Sequence, residues 1–114
     1  HESCLRLLKN LGFDLGQANN NGNTPAHRAA REGHSGCLHI LKDAGCNLEQ
    51  ADSNGVTPAL MASQNGHTAC LRLLQEAGCD LGQADDFGIT PVTAADRCGH
   101  EGCLCILKEA GYNP

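Results

Sequence analysis

The stretch Thr24-Pro25-Ala26-His27-Arg28-Ala29-Ala30-Arg31-Glu32-Gly33-His34 decides the reading, because its skeleton returns at a fixed interval. Thr57-Pro58 stands 33 residues after Thr24-Pro25, and Thr90-Pro91 stands 33 further on. Gly33-His34 is answered by Gly66-His67 and Gly99-His100. Working outward, Cys37-Leu38 is matched by Cys70-Leu71 and Cys103-Leu104, and Ala44-Gly45 by Ala77-Gly78 and Ala110-Gly111. Gly22, Gly55 and Gly88 keep step, as do Ala29, Ala62 and Ala95. A constant period of this size marks a solenoid, in which each unit buries its faces only against its neighbours.

Within a unit the residues spell helix, turn, helix. Thr24 offers a hydroxyl to the unbonded N–H groups of a helix start, and Pro25 at the first helical position sacrifices no donor. Ala26, Ala29 and Ala30 keep that helix slim, and Gly33 stops it by accepting a left-handed backbone. The second helix sets Cys37, Leu38, Ile40 and Leu41 as an inward stripe; Gly45 ends it. The connection from Cys46 to Val56 is polar, with Asn54-Gly55 at its tip, a hairpin-turn dipeptide.

The register also sets expected boundaries for a single domain over 1–114. His1, Cys4, Leu5 and Gly12 align with His34, Cys37, Leu38 and Gly45, so 1–18 read as the second half of a unit. Residues 19–51 and 52–84 read as complete units and 85–114 as nearly complete. On this register the chain is expected to be a piece of a longer array.

Thr24-Pro25-Ala26-His27-Arg28-Ala29-Ala30, followed by Gly33-His34 and Ala44-Gly45, resembles the ankyrin repeat, whose period and Thr-Pro-Leu-His-x-Ala signature it shares. The resemblance runs in register along the whole chain. It departs where His27 becomes Leu60 and Thr93, and where the usual leucine is Ala26, Ala59 or Val92. It implies an all-α solenoid of stacked helix–turn–helix units joined by β-hairpin-like loops, and a protein-binding scaffold rather than an enzyme. It also implies a check that fails: the asparagine that many such repeats offer for hydroxylation is replaced here by Gly16, Glu49 and Gly82.

Composition agrees. The chain has 114 residues, 3% aromatic, no Trp and 14 Gly, a balance suited to thin packed helices rather than to β-branched, aromatic-rich strands. A net charge of −5 with eight scattered basic residues argues against a nucleic-acid footprint and against a membrane-surface patch. The longest apolar run, such as Cys103–Leu107, is too short to cross a bilayer, and His1-Glu2-Ser3-Cys4 lacks a signal-peptide layout.

Eight cysteines, with His-x-x-Cys at His1/Cys4, His34/Cys37, His67/Cys70 and His100/Cys103, invite a metal or disulfide reading. The repeat frame favours core packing instead, because a cysteine fills a small apolar slot. Stacked helices put equivalent atoms about 10 Å apart, beyond the ~7 Å that a disulfide spans. Cys46 and Cys79 are expected in the core as well. Cys103 and Cys105 lie about 200° apart on one helix and cannot share a tetrahedral ion. Cys98 and Cys105 are expected to be exposed thiols, and thiols at this density point to a reducing compartment, cytosol or nucleus. His34, His67 and His100 recur in identical surroundings, which suits ties between units better than catalysis. No cofactor is implied.

The partner surface is expected where the units differ. By the resemblance, the tips are Asn20, Asn21 and Asn23, then Ser53, Asn54 and Val56, then Asp86, Phe87 and Ile89. The inner face of the first helices offers Arg28, Arg31 and Glu32, then Met61, Gln64 and Asn65, then Ala94, Arg97 and Cys98. Arg28 and Arg31 suit an acidic or polar stretch of a partner, and Met61, Phe87 and Ile89 an apolar group. The rival readings are an enzyme, which lacks placed acid, base and nucleophile, and a structural spacer supporting a site elsewhere in a longer chain. Cys4, Leu5 and Leu8 on one side, with Leu104 and Leu107 on the other, lead to an expectation of end-to-end self-association.

Overall fold

The computed structural model describes residues 22, 24–43, 45 and 47–112. Among them six helices follow one another: α1 (Pro25–Glu32), α2 (Ser35–Asp43), α3 (Pro58–Asn65), α4 (Thr68–Glu76), α5 (Pro91–Cys98) and α6 (Glu101–Glu109). The expectations placed on His1, Cys4, Leu5, Leu8, Asn20, Asn21, Asn23 and Cys46 lie outside the described residues.

Each first helix starts the same way. Thr24, Thr57 and Thr90 sit in extended backbone, and their hydroxyls accept from the amides of His27, Leu60 and Thr93, with proline directly behind. Such a cap contributes about 1 kcal/mol. Each ends on a left-handed glycine, Gly33, Gly66 or Gly99, at φ of 79°, 74° and 73°. The second helices solve their starts differently. His67 and His100 stand at the cap position, yet neither side chain caps its own helix.

Those imidazoles reach to the preceding unit. His67 Nε2–H donates to the Arg31 carbonyl at 2.9 Å, and His100 Nε2–H to the Gln64 carbonyl at 3.0 Å. Both rings lie against the cap glycine of that unit: a Cβ added at Gly33 would stand 2.7 Å from His67 Nδ1, and one at Gly66 2.6 Å from His100 Nδ1. Glycine is therefore required there twice over, by backbone sign and by space.

Packing follows from the ties. First helices α1, α3 and α5 lie side by side in one layer and second helices α2, α4 and α6 in another. Between the layers runs one core containing Leu38, Leu41, Leu71, Leu74 and Leu107, each at most 1% exposed, with Ala29, Ala30, Ala62 and Ala95. A fully buried leucine stabilises by about 1.5–3 kcal/mol, and here buried leucines of all three units belong to one cluster. The cysteine column belongs to this core: Cys37, Cys70 and Cys103 are buried. The Cys70 and Cys103 thiols point at the Ala29 and Ala62 carbonyls, 3.9 and 3.8 Å away. Cys79 is only half-buried at its edge, a weaker burial than its sequence position suggested. Leu107 is 0% exposed and Leu104 half-buried, so Leu107 is not the bare terminal leucine that the sequence led us to expect.

Candidate partner-binding surface

The connections between units project as tight loops. In the second, the Gly55 amide donates to the Asp52 carbonyl and the Asp52 amide to the Val56 carbonyl, at 3.0 and 2.9 Å. The turn's central residues are thus Ser53 and Asn54, with Gly55 left-handed after them at φ 80°. Asn54-Gly55 is not the central pair of a two-residue turn, as the dipeptide alone suggested. The Asp52 carboxylate explains the shift: its Oδ1 accepts from both the Asn54 and the Val56 amides, at 2.8 and 2.9 Å, and closes the wider loop.

The third loop repeats this geometry. Asp85 Oδ1 accepts from the Phe87 and Ile89 amides, both at 2.9 Å, and Gly88 takes the left-handed position. The two loops also lock together, since the Asp86 amide donates to the Asn54 carbonyl at 2.9 Å. On this rigid frame the displayed residues differ. Ser53 and Asn54 are exposed and polar; Asp86 is exposed and charged; Phe87 is 82% exposed, and Ile89 is half-buried. Among the described residues Phe87 is the one large hydrophobic side chain left in water. Val56 contributes less surface than expected, because its carbonyl accepts from His27 Nε2 at 2.7 Å and the residue is half-buried.

The helix positions divide likewise. Arg31, Glu32, Asn65, Arg97 and Cys98 are exposed, and Met61 and Gln64 half-buried, Met61 lying against the core. Arg28 is already engaged, its Nε 3.3 Å from Glu32 Oε1 as an ion-pair contact off hydrogen-bond alignment. Ala94 is a correction: it is 3% exposed and offers a partner nothing. The long side chains at the matching positions, Arg28 and Met61, extend past their neighbours toward solvent, whereas a single methyl does not.

Burial quiets the thiols of the core. Burial pushes the Cys70 thiol up to about 11, helped by Cys103, and the Cys79 thiol up to about 11, helped by Glu49. Burial also raises Cys103. Such thiols stay protonated at neutral pH and are poor nucleophiles and metal ligands. Cys98 and Cys105 are exposed, as expected. Cys103 faces the core while Cys105 faces solvent, so they point apart. Among the described residues no group of three His, Cys, Asp or Glu is placed to share an ion. No helix there is long and apolar enough to cross a membrane. A shallow groove between α2 and α4, lined by Gly36, His39, Ala69, Arg72 and Leu73 among others, went unread in the sequence; its signal was the small pair Gly36 and Ala69 at matching positions.

Comparison with known proteins meets this geometry along the chain. A family model described as ankyrin repeats (3 copies) matches residues 38–114, and one described as ankyrin repeats (many copies) matches residues 1–42. No curated protein matches the chain. Repeats of this kind generally serve as protein–protein interaction modules and are typically non-catalytic. With three successive capped helix pairs tied by histidine across each seam, the chain belongs to the ankyrin repeat family.

Proposed function

We propose that this chain is a scaffold that grips a protein partner along its loop tips and the inner face of its first helices, with Phe87 at the energetic centre. The carrying observation is the 82% exposure of Phe87 on a loop whose amides are already fixed by Asp85. A phenyl ring in water gains by burial, and a loop ordered in advance loses little entropy when a partner covers it. Ile89 and Met61 are the further apolar residues of this surface, and Arg31 and Arg97, in the last turns of α1 and α5, supply its charge. The partner therefore presents an apolar group flanked by acidic or polar residues. In this reading the scaffold works in a reducing compartment, cytosol or nucleus, which suits the exposed thiols of Cys98 and Cys105.

The test begins with a protein captured by the wild-type chain, titrated against Phe87→Ala combined with Arg31→Ala. Affinity is expected to fall at least about 30-fold, the size typical of losing an anchor and its charged neighbour. Undiminished affinity, with melting also undisturbed, removes this surface from the account.

A further inference from the structure

We propose that Asp96 makes the outer face of the third unit a stop: it rejects a further unit, or a second copy, docking there as the second and third units dock on their predecessors. Position 96 corresponds, one and two periods back, to Ser63 and Ala30. Both are 0% exposed beneath the following unit, whereas Asp96 is exposed. Ser63 tolerates burial because its hydroxyl donates to the Ala59 carbonyl at 2.9 Å within its own helix. A carboxylate is acceptor-only and cannot use that route.

The two junctions show what an incoming unit would bring to this place. Its thiol points at a carbonyl, as Cys70 and Cys103 do. Its imidazole spends Nε2–H on another carbonyl, as His67 and His100 do, and lies tight against the cap glycine. Neither group is a permanent cation. Asp96 would lose its water and find no counter-charge, which is strongly unfavourable in a packed seam. The rest of the face agrees in part. Thr93 stands where the second unit has Leu60, and its hydroxyl is bound to Thr90 Oγ1 at 2.9 Å, whereas Leu104 keeps the leucine of Leu71. Whatever covers this face has to bring a lysine or arginine opposite Asp96. The end-to-end association suggested by Leu104 is opposed at the same spot.

The experiment appends a copy of residues 49–84 after residue 114, where 49–51 complete the third period and 52–84 supply a fourth unit in register. Parent, Asp96→Ser and Asp96→Ala backgrounds are compared by amide exchange and by melting. In the parent the appended amides are expected to exchange as an unfolded chain and the midpoint to stay put. In both variants those amides slow by at least about 100-fold, the scale of an unpaired buried charge removed, and the midpoint rises. Equal protection of the appended unit in parent and variants overturns the proposal. So does its absence from both variants, since Asp96 would then not be the obstacle.

Discussion

The second and third units share a frame and differ on the face by which the second is covered. Both open on a Thr-Pro cap, close on a left-handed glycine and send a histidine back to the unit before. Where a following unit covers the second, it holds Leu60, Ser63 and Leu71, all 0% exposed. The third holds Thr93, Asp96 and Leu104 at those positions, the first two changed in type and the last kept. At the loop tip the same fold displays Asn54 in one and Phe87 in the other. Stacking dictates the residues it covers, and the loop tips outside the stack are free to differ.

Exchanging single residues between the two units tests that lesson. The largest effect is expected from Ser63→Asp, which puts the third unit's charge into the second unit's seam. It should cost about 3 kcal/mol or more and lower the thermal midpoint by over ~10 °C. The reverse change, Asp96→Ser, should stay within about 0.5 kcal/mol because the site is exposed; similar losses from both would break the comparison. Next is Phe87→Ala, expected to weaken partner binding by about 2 kcal/mol while melting holds, whereas Asn54→Ala moves affinity less than ~3-fold. Calorimetric titration of the pair reads both.

Glycines give a finer contrast. Gly66→Ala and Gly99→Ala share a left-handed penalty of about 1–2 kcal/mol. Only Gly66 has a neighbour in the way, His100 Nδ1 at 2.6 Å from the added Cβ, against open space at Gly99. Denaturant midpoints should therefore show Gly66→Ala worse by about 1 kcal/mol or more; parity would mean the imidazole moves aside freely.

The smallest effect concerns acid. His27 is buried, its Nδ1 accepting from the Thr24 amide and its Nε2–H donating to Val56, so the neutral ring fits and the cation does not. Burial lowers its pKa below 6.5, outweighing the Val56 bond and the Asp52 charge. A depressed folded-state pKa means stability is intact above 6.5 and is lost as pH falls from there through the folded value. Melting followed from pH 8 to 5 should show this loss, and His27→Leu, which copies Leu60, should flatten it. An unchanged acid slope in that variant would assign the effect elsewhere.

Much of this was legible in the sequence, for identifiable reasons. The helices were, because Thr-Pro and glycine act locally through backbone geometry. The ties of His67 and His100 were, because identical surroundings at successive periods imply one repeated contact. The loop tip was misread by one residue, since Asn54-Gly55 signals a tighter turn than the one the Asp52 carboxylate holds closed. Ala94 was misread because a period fixes a direction but not how far a side chain reaches. The link between the Asp86 amide and the Asn54 carbonyl left no trace, as backbone groups are the same in every residue. Arg28 looked available until Glu32 was found beside it.

Residue-resolved amide exchange of Leu71→Ala tests the stacking claim most directly. Leu71 is 0% exposed on α4, within the core shared by neighbouring units. If the units hold one another up, protection falls in α5 and α6 of the third unit along with α3 and α4. Protection lost from α4 alone, with the third unit unchanged, would contradict the account.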